Sequence, residues 1–388
     1  MSAGVPVKAA PSRRVMPKIA SKPTNQSIRE LTSLAVRGLV SMFEPDQQLF
    51  CYRLRGTTEG LVREGVSRRY TTMALLGLNA LRKTGVQCPF DTDAVYRSCA
   101  DDPGWIHGVG DLGLLVWLTA EYAPERLDDL FERVNLEKSL ERFADARECQ
   151  TMELAWFLAG LCHATLASPQ RSWPLGDLAV DTYHLLQDNR GESGLFGHLA
   201  AKKSLSGLLR GRIGNFADQI YPIYALSKFA TAFDIEEPLD LALECALTIC
   251  RLQGSQGQWW RFYDVDRGCV VCRYPVYSVD QYGLAPLALF ELERATGRRF
   301  QDAVYRGLDW VYGSNELGED LRTPSQQVIW TCILPTSRRR KYWETAGSLI
   351  RPAREQQAAQ SLRVLHESRP YELGLLLCSF ANYESVQT

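Results

Sequence analysis

The chain has 388 residues, of which 45% are apolar and 23% charged, and its formal net charge is −1. This composition is that of a globular protein with enough apolar residues for a large core. Acidic and basic residues are interspersed without a basic stripe, so we do not expect nucleic acid as a partner. No apolar run reaches the roughly 18–20 residues of a membrane span.

The N-terminal segment differs in composition from the rest of the chain. Residues 1–26 contain five basic residues, several prolines and no acidic residue. They lack the continuous apolar region of a secretory signal, and the prolines interrupt the amphipathic helix of a transit peptide. We therefore expect a disordered basic tail over 1–26 and a single domain over 27–388. The eleven cysteines, an odd number, favour a reduced and cytoplasmic protein.

Apolar residues recur at helical spacing along most of the chain, beginning with a helix predicted over 28–43. After it, amphipathic segments alternate with segments that are too apolar for the protein surface. The amphipathic segments are 91–100, 126–145, 175–187, 239–252 and 300–312, and the apolar segments that follow them are 110–122, 153–166, 217–233, 280–296 and 371–383. This alternation predicts helical hairpins that close into a ring, with the apolar helices inside.

Each apolar segment begins with a small polar cluster, and an additional one begins near residue 69. The clusters are Arg69-Tyr70, Asp111, Glu153, Asp218-Gln219, Asp280-Gln281 and Glu372. In a ring of hairpins all inner helices start at the same end. The sequence therefore predicts that five carboxylates converge on one cavity mouth.

Two turns and one hairpin separate these helices. Segments 187–196 and 253–259 both read Gln-x-x-x-Gly followed by an aromatic residue, and glycine there provides a left-handed helix cap. Segment 261–278 reads as a short β-hairpin. Within it, Cys269 and Cys272 have the spacing of half a zinc site, but no second Cys or His pair lies nearby in sequence. We expect structural cysteines and no metal, with a redox pair as the alternative.

The phrases FADQIYPIYAL, YPVYSVDQYGLAPLALF and SRPYELGLLL, with the GQWW turn, resemble a group of bacterial (α/α)6-toroid proteins. This group is associated with exopolysaccharide biosynthesis loci and shares the six-hairpin glycosidase and terpenoid-cyclase-like architecture. The resemblance covers roughly residues 48–385. It implies an all-α toroid that acts on a bacterial polysaccharide or its precursor, in association with polysaccharide biosynthesis enzymes. Relatives often read His-Gln-Asp-Gly where this chain reads Asp280-Gln281-Tyr282-Gly283, which weakens any assignment based on that His/Asp pair.

Candidate catalytic residues follow from the carboxylates. Two carboxyl groups that face each other across a sugar are the minimal requirement for glycoside hydrolysis. Asp218 and Asp280 begin adjacent inner helices, whose axes lie ~8–10 Å apart, so their carboxyl groups are expected within the ~6.5–9.5 Å of inverting enzymes. Glu153 and Glu372 are alternates, and His198 is a candidate general base. Helix capping is the competing interpretation for acids at helix starts.

Candidate substrate-binding residues are the remaining polar and aromatic side chains of the same helix starts and of the loop after the second turn. Aromatic faces stack on sugars or stabilise carbocations, and arginine binds anionic groups. The expected set is Arg69, Tyr70, Asp111, Gln219, Tyr221, Trp259, Trp260, Tyr277, Gln281, Tyr282 and Glu372.

The sequence therefore predicts a carbohydrate-active enzyme (a hydrolase, lyase or epimerase) with an oligosaccharide or other small-molecule substrate. No cofactor is expected, because nucleotide-binding and zinc-protease motifs are lacking. One alternative is a terpenoid-cyclase-like enzyme acting on an isoprenoid, which the Gln-x-x-x-Gly-x-Trp turn favours, although Asp264-Val-Asp266-Arg267 falls short of an Asp-x-Asp-Asp acid. The other alternative is a noncatalytic glycan-binding or scaffold protein.

Overall fold

The structure is a computed structural model that describes residues 25–145, 150–169, 172–199, 211–336 and 361–381. The first helix begins at Asn25, two residues inside the predicted tail, and residues 1–24 lie outside the described residues. The α-helices are α1 (Asn25–Met42), α2 (Arg68–Lys83), α3 (Thr92–Ala100), α4 (Val109–Tyr122), α5 (Leu127–Arg133), α6 (Leu136–Asp145), α7 (Thr151–Ala167), α8 (Ser172–Gln187), α9 (Ala217–Phe233), α10 (Glu237–Leu252), α11 (Ala285–Thr296), α12 (Gln301–Val311) and α13 (Pro370–Phe380).

Six of these helices form a closed inner ring within the described part of the chain. Helices α2, α4, α7, α9, α11 and α13 each pack against the next, and α13 packs against α2. The other helices pack outside this ring, as the sequence predicted. The fold is an all-α (α/α)6 toroid. One predicted outer helix, 126–145, is wrong: the structure has α5 and α6 instead, because the backbone is extended at Val134 and Asn135 caps α6 by accepting the Lys138 N–H (2.8 Å).

Glycines allow two pairs of inner helices to approach unusually closely. A Cβ on Gly113 of α4 would lie 2.4 Å from the Cα of Phe157 in α7, and one on Gly160 would lie 2.3 Å from the Gly113 carbonyl oxygen. Across the junction of α2 and α13, a Cβ on Gly77 would lie 2.1 Å from the Gly374 carbonyl oxygen. The atoms in the way belong to the backbone, so any larger residue would separate the helices.

The fifth inner helix departs from the predicted single helix over 280–296. Its first turn, Asp280–Leu284, is π-helical, and the Ala285 N–H donates to the Asp280 carbonyl oxygen. Pro286 follows at once and has no N–H to give to the preceding turn, which the wider π turn accommodates. π turns inside helices are rare and occur often at functional sites.

Short strands surround the end of the ring at which the inner helices begin. They are β1 (Phe43–Glu44), β2 (Leu49–Thr57), β3 (Gly60–Val66), β4 (Ile213–Asn215), β5 (Phe262–Asp264), β6 (Cys269–Cys272), β7 (Val276–Tyr277), β8 (Arg322–Thr323), β9 (Val328–Ile329), β10 (Cys332–Pro335), β11 (Leu362–Leu365) and β12 (Glu367–Ser368). The predicted hairpin is confirmed as β5–β6, while the longer hairpin β2–β3 was not predicted. Strand β12 pairs with β2 and so joins the last hairpin of the ring to the first.

Two sequence expectations about special residues can be compared with this architecture. Cys269 and Cys272 occupy the first and last positions of the extended strand β6. Three extended residues span about 10 Å, which exceeds the Cα separation that a disulfide tolerates. The pair therefore does not form a disulfide in this conformation. No described helix is long and apolar enough to cross a bilayer.

Candidate active site

The polar clusters predicted from the sequence all lie in the first turns of the inner helices. Arg69 is the second residue of α2, Asp111 and Glu153 are the third residues of α4 and α7, and Asp218 is the second residue of α9. The π turn begins with Asp280, and Glu372 is the third residue of α13. All six positions therefore surround the same end of the ring, which we call the mouth.

Asp111 is fully engaged by its neighbours. Arg69 donates from Nε to Oδ1 of Asp111, and the backbone N–H of His107 donates to Oδ2 (3.1 Å). Only 1% of Asp111 is exposed. The guanidinium of Arg69 also lies 5.8 Å from the ring centroid of Trp156. Asp111 therefore holds Arg69 in place at the mouth and has no oxygen left for a ligand.

Glu153 has a different environment from Asp111. Its side chain crosses the first turn of α4, where Gly108 and Gly110 provide room: a Cβ on Gly110 would lie 2.8 Å from its Cγ. Among the described residues, no side chain or backbone N–H hydrogen-bonds its carboxyl group. Burial and then the Asp111 charge raise the pKa of Glu153, while Arg69 and His198 oppose the shift. It is a half-buried carboxyl group available for proton transfer.

Asp218 contacts His198 and its own helix cap, and the predicted separation of its carboxyl group from that of Asp280 stays a prediction. His198 Nδ1 lies 3.1 Å from Oδ2 of Asp218. Asn215 and Asp218 each accept the other's backbone N–H, at 3.1 and 2.9 Å, in a reciprocal cap. The side chain of His198 is 23% exposed. Because Asp218 occupies Nδ1, Nε2 is the nitrogen of His198 that is left for a substrate.

Asp280 and Glu372 are buried carboxyl groups on two neighbouring elements of the ring, the π turn and α13. Asp280 is 3% and Glu372 0% exposed, and Oδ2 of the first and Oε1 of the second find no hydrogen-bond partner in the described structure. Burial raises the pKa of Asp280 to about 7, with Arg261 opposing. Burial also raises the pKa of Glu372 to about 8, and the charge of Asp280 adds to this shift.

The two glutamines expected to bind substrate are anchors instead. The Gln219 amide accepts from the Phe196 N–H (2.8 Å) and donates to the Phe196 carbonyl (2.7 Å), so it clamps the loop that carries His198. Gln281 donates to the Tyr277 carbonyl (3.1 Å) and is fully buried. Both side chains act on the backbone, and neither is presented to the mouth.

Most of the aromatic residues expected at the site belong to the core. Trp259 is 0% exposed and stacks on Phe216, with centroids 5.3 Å apart. Trp260 and Tyr282 are also buried, as is Tyr221, which meets the edge of Trp156. Tyr277 is half-buried under the Arg261 guanidinium.

Sequence reasoning missed an aromatic stack beside Glu372. Tyr70 lies between Tyr52 of β2 and Tyr371 of α13, with centroid separations of 5.3 and 4.6 Å. Arg369 donates to the Tyr70 hydroxyl (3.4 Å) and lies over the Tyr52 ring. Arg369 and Tyr371 could have been identified as site candidates from the sequence, because they lie within three residues of Glu372. Tyr52 could not be placed, because the β2–β12 pairing that brings it there joins distant parts of the chain.

No family model matches the chain, and a search of curated proteins gives no match. Solved structures do resemble it. An unsaturated glucuronyl hydrolase specific for heparin has a TM-score of 0.59 at 13% identity, covering 94% of this chain and 98% of that one. A possible GH105 family member from Salmonella enterica serovar Paratyphi A has 0.59 at 10%, covering 98% and 100%. A sugar epimerase from a ruminal bacterium has 0.59 at 8%, covering 92% and 98%. At such identities the similarity shows the fold.

Proposed function

We propose that this chain is a carbohydrate-active enzyme that transfers protons to and from a sugar bound at the mouth. The observation that carries the proposal is Glu153, a half-buried carboxyl with a raised pKa and no hydrogen-bond partner among the described residues. Arg69 and His198 both lie near enough to act on its charge. An accessible acid/base group beside a second one is what proton-transfer chemistry on sugars requires.

The substrate we propose is an acidic oligosaccharide. Three arginines at the mouth, Arg69, Arg261 and Arg369, support this, because their half-buried guanidinium groups favour an anionic ligand. A structural neighbour, an unsaturated glucuronyl hydrolase from Streptococcus agalactiae, forms a complex with the disaccharide dGlcA-GalNAc6S; it has a TM-score of 0.58 at 10% identity. The sequence resemblance supports a bacterial polysaccharide or its precursor as the natural substrate, processed in association with biosynthetic enzymes, and the cysteine content supports a cytoplasmic location.

Hydrolysis is the first reaction that we propose. Glu153 would take a proton from the attacking water, the oxygen of that water would bond to the anomeric carbon, and the C–O bond to the leaving sugar would break. The leaving oxygen needs a proton from a second group. Exchange with solvent would then return both groups to their starting states.

Epimerisation is a second candidate, and the His198–Asp218 contact favours it. With Nδ1 held by Asp218, Nε2 of His198 can remove a proton from carbon while Glu153 supplies one. The sugar epimerase among the structural neighbours supports the same reading. The isoprenoid alternative has no comparable support at the mouth, where the accessible side chains are charged or hydrogen-bonding.

The test is turnover of unsaturated and saturated uronate oligosaccharides in D2O and in 18O-labelled water. Hydrolysis shortens the chain and places 18O in one product, whereas epimerisation introduces deuterium at carbon without shortening it. We expect Glu153→Gln to lose at least ~100-fold in kcat, with its unfolding temperature unchanged. Glu125→Gln, an exposed carboxylate beyond the other end of α4, is the matched control. Binding without turnover in the wild type would support a scaffold and refute the enzyme.

A further inference from the structure

The carboxyl groups of Asp280 and Glu372 lie in two elements that pack against each other, the π turn and α13. Each carboxyl leaves one buried oxygen without a hydrogen bond, and the buried hydroxyl of Tyr282 also has none among the described residues. The hydroxyl of Thr331 donates to the other oxygen of Glu372 at 3.3 Å. This is the highest concentration of unpaired polar atoms that the described structure contains at the mouth.

Two buried carboxylates would need cations in direct contact to remain ionised. Arg261 lies instead over the rings of Phe262 and Tyr277. Arg369 makes its contacts with Tyr70 and Glu367. Both guanidinium groups therefore act on the carboxyl pair at a distance, while the backbone N–H of Arg369 donates to Glu372. The geometry disfavours the doubly ionised pair.

The other titratable groups around the pair carry no charge near neutral pH. The side chains that face it are Tyr221 of α9, Tyr263 of β5, Tyr277 of β7, Cys332 of β10 and Tyr371 of α13. Burial raises the pKa of every one of these phenol and thiol groups above its ordinary value. Arg261 and Arg369 are thus the permanent charges that favour ionisation of the pair, and neither guanidinium group contacts it.

We propose that Asp280 and Glu372 form a carboxyl pair that stays protonated near neutral pH, in which Asp280 is the proton donor for the reaction and Glu372 a positioning residue. The donor role rests on the proposed function. In hydrolysis, Asp280 gives its proton to the leaving oxygen as the C–O bond breaks, while Glu153 accepts a proton from water. Asp280 regains a proton from solvent. Glu372 acts through Asp280, because ionisation of either carboxyl opposes ionisation of the other.

The number of protons released when the protein unfolds tests the protonation of the pair without any substrate. Both folded-state pKa values lie above those of the unfolded chain, so the folded protein binds more protons and its stability falls as pH rises from about 4.5 to about 8. At pH 6, unfolding of the wild type should release about two protons more than unfolding of the double variant Asp280→Asn/Glu372→Gln. Each single variant should release about one fewer than the wild type.

Glu291→Gln is the matched control, because Glu291 is also buried but ion-paired to Lys228 at 3.1 Å, and its pKa is lowered. It should release as many protons at pH 6 as the wild type. If a variant of the pair does not fold, the proton-release experiment is replaced by infrared spectroscopy of the wild type, which detects the absorption of protonated carboxyl groups. The absence of this absorption at neutral pH, or equal proton release in all variants, would overturn the proposal.

Activity measurements on the same variants distinguish a failure of this inference from a failure of the proposed function. At high pH, kcat/KM should fall with the loss of two protons in the wild type. In Glu372→Gln, which keeps the donor Asp280, it should fall with the loss of one proton. Asp280→Asn should be inactive at every pH. A chain that turns over no sugar would refute the proposed function and the donor role while leaving the proton count to decide on the pair. An active Asp280→Asn variant would refute the donor role alone.

Discussion

Replacement of Gly113 by alanine tests whether the ring closes through direct backbone contact. The added Cβ would lie 2.4 Å from the Cα and 2.5 Å from the N of Phe157. Ordinary contact begins near 3.4 Å, so α4 and α7 must separate by about 1 Å at their closest point. Because these are backbone atoms, no rotamer change relieves the overlap.

We expect Gly113→Ala to lower the free energy of unfolding by about 2 kcal/mol, within the range for overpacked cores. Alanine is the better helix former by about 1 kcal/mol, which offsets part of the cost. The assay is urea denaturation monitored by circular dichroism, with the midpoint and slope compared between variants.

Gly176→Ala is the matched control for this experiment. Gly176 also lies in a helix, α8, but a Cβ there would meet the Phe233 ring at 3.4 Å, an ordinary contact. It should therefore stabilise the protein by up to about 1 kcal/mol, from helix propensity alone. Equal effects of the two substitutions, whether stabilising or neutral, would refute the close approach of α4 and α7.

Three further predictions concern buried polar groups. Tyr224→Phe removes the hydroxyl that lies 2.8 Å from His163 Nε2 and should cost about 1–3 kcal/mol in chemical denaturation, since it leaves a buried nitrogen unpaired. Asp218→Asn should reduce turnover far more than it reduces the unfolding temperature, because His198 loses the carboxylate that fixes its tautomer; a parallel loss of both would contradict this. Glu291→Gln should destabilise the protein at pH 7, and the difference should shrink below pH 4.5, where the ordinary glutamate is protonated.

The architecture could be predicted because a fully buried helix lacks a polar face, and this is visible in the amino-acid sequence. The segments DLGLLVWLTAEY and MELAWFLAGLCHATL have almost no polar face, and the structure buries both within the ring as α4 and α7. The positions of the polar clusters followed from the same reasoning. The strands could not be predicted as well, because most contain two to four residues and several pair with distant segments, as β10 does with β7 and β11.

The roles of individual site residues depend on where their side chains point, which spacing does not determine. Gln219 and Asp218 are neighbours at the start of α9, yet one clamps the Phe196 backbone and the other holds His198. Trp259 has the aromatic character of a sugar platform but stacks in the core on Phe216. Each outcome is set by a tertiary partner that no local pattern reveals.

The five carboxylates at the mouth divide into two groups for a physical reason. A helix N-terminus stabilises a negative charge through its free N–H groups, and Asp111 and Asp218 each accept in addition a backbone N–H from just before their helix, that of His107 and that of Asn215. Glu153 and Asp280 begin equivalent helices without such a bond among the described residues, and Glu372 is fully buried although the Arg369 backbone N–H bonds to it; the pKa of each of the three is raised. Burial is the main cause of all three shifts, and it destabilises each carboxyl group as an anion, which is unfavourable for folding alone. We infer that Glu153 and Asp280 exchange protons with the substrate, that Glu372 acts through Asp280, and that Asp111 and Asp218 position their neighbours.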